Sequence, residues 1–199
     1  MPEAAVATVL LAAGRGTRFG TAPKLLADLD GRPLVRHAAE AALAASARPV
    51  VVVLGAHAQA LRTALAGLDL VLVENPDYAA GLSTSLRAGL AALPAAIPGA
   101  LVLLGDMPRV TPAQLDRLVA AFAAADPRPA AVVPVHAGRR GNPVLLNRHR
   151  LAPDLARLSG DRGAGPILAG RTDVLEIPGD AGTALDIDTP AALAGLGGD

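Results

Sequence analysis

Cysteine is absent from the 199-residue chain. That excludes a disulfide framework, a thiolate nucleophile and a Cys-ligated metal. Tryptophan is absent as well, and aromatic residues make up only 2%. The core must therefore be built from Val, Leu, Ile and Ala. No sign of charge is in excess: 18 basic residues balance 18 acidic ones, and the basic ones are spread along the chain. This argues against an electrostatic nucleic-acid binder, though not against a small anion held in a local pocket. No apolar run approaches the roughly 18 residues of a membrane span, and no basic segment precedes the first apolar run. A cytoplasmic protein with no membrane contact is expected. The four histidines are scattered, and no pair has zinc-ligand spacing. Lysine is almost missing too: 17 of the 18 basic residues are arginine, and the exception is Lys24. A compact ammonium differs from a guanidinium when its partner is a crowded phosphate, which makes Lys24 a candidate site residue.

What is present alternates between strand-like and helix-like segments. Residues 5–12 and 50–54 are short apolar runs that read as buried strands, and 70–73, 100–104 and 130–135 read as further strands. Residues 144–146 and 174–177 read as later strands. Residues 33–46 read as a helix with Pro33 in its first turn, and 57–65 as a short helix. Residues 83–93 read as a helix capped by Ser83. Thr111-Pro112 and Thr189-Pro190 each open a helix by a cap-plus-proline device. Strand–helix alternation predicts an α/β fold: a Rossmann-like three-layer α/β/α arrangement on a mostly parallel sheet. The length suits one domain over residues 1–199. In such sheets ligands bind beyond the carboxyl ends of the strands, so residues just after strands are the candidates.

Three motifs pass that filter. The first is Leu11-Ala12-Ala13-Gly14-Arg15-Gly16-Thr17-Arg18-Phe19-Gly20, followed by Lys24-Leu25-Leu26. Its glycines let backbone N–H groups approach phosphate oxygens, and Arg15, Arg18 and Lys24 gather three cations in one short segment. It is neither a P-loop, since position 19 is Phe and Lys24 comes too late, nor a dinucleotide loop, since the last glycine of G-x-G-x-x-G is again Phe19. The second is Gly105-Asp106-Met107-Pro108. A carboxylate directly after a buried strand is placed to hold a hard cation such as Mg²⁺. The third is Asp186-Ile187-Asp188-Thr189-Pro190. Extended alternation puts both carboxylates on one face, where either completes a metal site with Asp106.

Two further regions read as substrate loops. Asn75 begins a stretch that ends in the hydroxyls of Ser83 and Ser85 at a helix N-terminus, a natural anion site. Arg139, Arg140, Gly141 and Asn142 form one basic, glycine-bearing turn, and Asp161 and Arg162 lie in another.

Taken in order, the motifs resemble the molybdenum cofactor nucleotidyltransferases, within the larger sugar-phosphate nucleotidyltransferase-like fold. Leu11-Ala12-Ala13-Gly14 and Lys24-Leu25-Leu26 look like the cytidylyltransferase branch. The chain departs from that branch at Asn142, where His is usual, and at Gly165, where Arg is usual. The resemblance implies that a phosphate oxygen of molybdopterin attacks the α-phosphorus of CTP and pyrophosphate leaves. It implies Arg15, Lys24 and Asp106 as the catalytic set. Arg15 and Lys24 would hold the triphosphate beside the amides of Gly14, Arg15, Gly16, Thr17 and Arg18. Leu11, Ala12, Ala13 and Gly55 would line the base pocket. Asp106 with Asp188 or Asp186 would hold Mg²⁺, and the two basic turns would bind the acceptor. A molybdoenzyme client is a further implied partner. The alternatives are GTP in place of CTP, a sugar 1-phosphate acceptor, a nucleotide-binding module without catalysis, and an NAD-linked oxidoreductase.

Overall fold

The computed structural model describes residues 6–20 and 22–196. Strand β1 (Val6–Ala12) is buried at all seven positions, as a strand covered on both faces must be. The expected start at Ala5 lies outside the described residues. Two single-turn 3₁₀ segments, Thr17–Phe19 and Lys24–Leu26, follow. A small hairpin comes next, β2 (Asp28–Leu29) with β3 (Arg32–Pro33), then α1 (Leu34–Ala44). The sequence placed Pro33 inside this helix. Its backbone is extended instead, with φ −58° and ψ 139°, because it belongs to the hairpin. Next come β4 (Val50–Leu54), α2 (Ala58–Ala64), β5 (Val71–Glu74), α3 (Leu82–Ala91) and β6 (Gly99–Leu104). After them run α4 (Pro112–Ala124), β7 (Ala131–His136), β8 (Arg139–Arg140), β9 (Val144–Asn147), α5 (Ala152–Ala156) and α6 (Gly165–Leu168). The last elements are β10 (Val174–Pro178), α7 (Ala181–Ala184) and α8 (Pro190–Ala194).

The main sheet has eight strands in the order β10-β7-β9-β6-β1-β4-β5, with β8 paired to β7. β1 pairs in parallel with β4 and β6, and β5 and β10 also pair in parallel with their neighbours. Only β9 and short β8 run against the rest. The sheet is the mostly parallel one expected, with an inverted strand between β6 and β7.

Alternation along β1 builds the layers. Val6, Leu10 and Ala12 join one core with Val35 and Ala38 of α1 and Leu115 and Leu118 of α4. Ala7, Val9 and Leu11 join another with Leu86 and Leu90 of α3 and Leu155 of α5. Helices therefore cover both faces, with a third small core of Phe19, Leu29, Leu34 and Ile187 at one end. Thr111 forms a full capping box with Gln114 at the start of α4, and Thr189 accepts from Ala192 N at the start of α8, both as expected.

Ser83 is not the cap of α3. Gly81 holds that position at φ 112°, and a Cβ there would lie 2.3 Å from the carbonyl carbon of Gly160. Only glycine allows that approach, and it starts the helix one residue before Ser83. Among the described residues no helix is long and apolar enough to cross a membrane.

Candidate active site

Strand order reverses direction on either side of β1: the chain goes from β1 to β4 and β5, then returns to place β6 on the other flank. Such a switch opens a crevice at the carboxyl ends of the two strands. The glycine loop leaves β1 there and Gly105-Asp106 leaves β6 beside it, tied by a hydrogen bond from Gly105 N to Leu11 O (3.0 Å). The crevice is a cavity of about 490 Å³.

Lys24 sits at its base with 9% of its side chain exposed. Its Nζ lies 2.5 Å from Asp106 Oδ2 and 2.8 Å from Asp188 Oδ1. Burial works against this ammonium, but hydrogen bonds to Asp106 and Asp188 and their negative charge outweigh it, and its pKa stands above the ordinary lysine value. The Lys24 hydrogen bond, aided by the charges of Lys24 and Arg18, outweighs burial at Asp188 and holds that carboxyl below its ordinary value. Arg18 Nη1 reaches the other oxygen of Asp188 at 2.8 Å. Gly16 makes room for this arrangement: at φ 63° it passes so close that a Cβ would lie 2.7 Å from Lys24 Cβ.

Asp188 reaches the site although it lies far along the chain from Asp106. Ile187 N donates to Asp106 O (3.0 Å), and the Ile187 side chain is fully buried in the third core. Alternation then turns Asp186 and Asp188 toward the cavity, which both line. Asp106 Oδ1 is buried with no hydrogen-bond partner among the described residues. A buried carboxylate oxygen without a donor fits a hard cation. Among the described residues no group of three or more acids or histidines is assembled to hold a metal. A cation here would draw on two carboxylates and on ligand oxygens, as Mg²⁺ prefers.

Of the other candidates, Leu11, Ala13, Gly14, Arg15, Thr17 and Ser85 also line the cavity, as does Asp161. Ala12 faces the core instead. Gly55 acts one layer back, wedged where a Cβ would lie 2.6 Å from Tyr78 Cβ and 2.8 Å from Ala13 Cβ. Asn75 is buried and braces the loop, donating to Thr84 Oγ1 (2.8 Å) and Ser85 Oγ (3.0 Å) and accepting from Asp77 N. Ser83 Oγ is buried without a partner and does not line the cavity. Arg139, Gly141, Asn142 and Arg162 are not among the residues that line it. Nor is Arg140, held by Glu176 (2.8 Å) and Leu168 O (2.9 Å). The substrate-loop stretch from Asn75 to Ser85 also carries Tyr78, which the sequence motifs do not single out. Tyr78 lines the cavity with the Arg15 guanidinium 5.6 Å from its ring centre, and its rarity in this sequence was the available signal.

Comparison with known proteins agrees with this geometry. The profile of the MobA-like NTP transferase domain matches residues 8–175. The chain belongs to that family. That family is described as a nucleoside triphosphate transferase domain. Over 190 residues the chain is 35% identical to nicotine blue oxidoreductase of Paenarthrobacter nicotinovorans, covering 92% of each. It is 44% identical over 126 residues to the bifunctional protein GlmU of Kineococcus radiotolerans, 62% of this chain but only 26% of that protein. The chain thus spans about a quarter of the GlmU relative's length. Among solved structures, Rv0371c of Mycobacterium tuberculosis in complex with manganese superposes with a TM-score of 0.79 at 32% identity, covering 97% of this chain and 98% of that one.

Proposed function

We propose that the protein transfers CMP from CTP to the terminal phosphate of molybdopterin, with Mg²⁺ held by Asp106 and Asp188. The observation that carries the reading is the cluster of Lys24, Asp106 and Asp188 beside a glycine loop at the switch point of the sheet. An acceptor phosphate oxygen forms a bond to the α-phosphorus as the bond to the β-phosphate oxygen breaks, and pyrophosphate leaves with the electron pair. No protein nucleophile is required. Arg15, Arg18, Lys24 and the amides of residues 14–18 hold the triphosphate, orient its α-phosphorus and offset charge that grows on the leaving group. Leu11, Ala13 and Gly14 offer backbone groups to the base. Asp161 faces the acceptor side. The divalent cation, when bound, supplies charge neutralisation at the phosphate oxygens.

The alternatives are a guanylyl donor and a sugar 1-phosphate acceptor. The test is pyrophosphate release from CTP, GTP, UTP and ATP, each with molybdopterin and with a sugar 1-phosphate. CTP with molybdopterin is expected to be fastest, and release only with a sugar phosphate overturns the acceptor. A second reading comes from the relative named nicotine blue oxidoreductase, which matches over nearly the full chain. It would have this protein reduce a heterocycle with a nicotinamide dinucleotide. Against it, Phe19 replaces the third glycine of the dinucleotide loop. Consumption of NADH or NADPH without any pyrophosphate release would establish it.

A further inference from the structure

The charged groups that a cation–triphosphate complex needs are here engaged with one another. Lys24 and Arg18, which would meet phosphate, occupy both oxygens of Asp188. Lys24 also occupies one oxygen of Asp106. A divalent cation arriving alone must displace an ammonium from two carboxylates and then sit beside two freed positive groups. A triphosphate arriving alone must draw Lys24 and Arg18 off Asp188, leaving two uncompensated carboxylates facing a polyanion. Both events oppose like charges, most strongly at Lys24 and Asp106, whose side chains are largely buried. When the two arrive together the pairs exchange: the carboxylates pass to the cation, and the ammonium and guanidinium pass to phosphate. Every charge stays partnered.

We propose that Lys24 stands in for the cation and Asp188 for a phosphate. The site thereby selects a preformed complex of divalent cation and polyphosphate over either component alone. This makes Asp188 and Lys24 specificity-determining as well as binding residues. The proposal rests on the nucleotidyl-transfer reading for its substrate, but its test uses neither base nor acceptor.

The test measures binding to the full chain without nucleotide. Mn²⁺ is followed by electron paramagnetic resonance, and tripolyphosphate by calorimetry in the presence of a chelator. Lys24→Met is expected to bind Mn²⁺ alone about tenfold or more tightly than the unmodified protein. Asp188→Asn is expected to bind metal-free tripolyphosphate more tightly by a similar factor, within the usual range of coupling between sites. Unchanged or weaker metal-free binding in Asp188→Asn overturns the proposal. So does unchanged Mn²⁺ affinity in Lys24→Met. Should either variant fail to fold by circular dichroism, the unmodified protein still decides. It should bind Mg²⁺-loaded tripolyphosphate at least tenfold tighter than the metal-free form, and equal affinity overturns the proposal. Failure of the nucleotidyl-transfer reading is distinguishable, because these couplings would persist with no pyrophosphate released.

Discussion

Lys24 meets two carboxylates in a nearly dry position against the backbone of Gly16. Three constraints follow: a single point charge, a stem that fits beside a glycine, and a head small enough to sit between two acids. Lys24→Ala is expected to lower pyrophosphate release at least tenfold, and steady-state kinetics equal to those of the parent would remove it from the triphosphate set. Lys24→Arg should be impaired too, because a planar fork cannot occupy the place of an ammonium held between two carboxylates. The residue stood out in the sequence because composition isolates it. Asp106 was legible because it directly follows a buried strand. Tyr78 was not, since nothing local marks a ring that gains its place from Gly55 and Arg15, both distant in sequence. The basic turn at Arg139 and Arg140 does not line the cavity: positive charge in a loop does not reveal that Arg140 is tied to Glu176 on β10.

At the scale of elements, local chemistry foretold what local chemistry controls. The strands and the Thr111 and Thr189 caps stand close to where their residues put them, β1 and β4 buried throughout and β5 at the sheet edge with Val71 exposed. Direction is a long-range property, so the inversion of β9 was hidden in an apolar run that looks like any other. The β2–β3 hairpin had a signal in Asp30-Gly31, both at positive φ (53° and 78°). One contact between elements bears on pH. Gln114 closes the cap of α4 and also donates from its side chain to Asp180 Oδ1, the residue that caps α7. That bond from Gln114, with help from the Gly182 and Thr183 amides and Arg117, outweighs burial and holds the Asp180 carboxyl below its ordinary value. A depressed folded-state pKa means the contribution is complete above the unfolded value, near pH 4, and is lost as pH falls through the folded one. Asp180→Asn should therefore flatten the acid limb of stability, measured by urea unfolding at a series of pH values. An unchanged slope would mean that Asp180 does not contribute to it.

Across the whole molecule, the proposed chemistry draws on a segment beyond the eight-stranded sheet. The family match ends at residue 175, β10 ends at Pro178, and Asp188 comes later. Ile187 fastens that segment by entering the core of Phe19, Leu29 and Leu34, elements that flank Lys24 in sequence. The same small core thus positions both partners of the Lys24–Asp188 pair. Ile187→Ala should cost about 2 kcal/mol or more in urea unfolding. Pyrophosphate release should fall further than that loss explains at temperatures where the variant remains folded. Full turnover in a folded Ile187→Ala protein would show that Asp188 needs no such anchor.

The chain has one tyrosine and no tryptophan, and that tyrosine lines the cavity under the Arg15 guanidinium. Tyr78 is thus the source of the protein's tyrosine fluorescence, and no indole is present to mask it. A ligand that draws Arg15 toward its phosphates uncovers the ring and changes its surroundings. The unlabelled protein is therefore its own optical sensor: emission from a single ring should report occupancy of the cavity in real time. A signal indifferent to saturating triphosphate and cation would mean that Arg15 stays where it is.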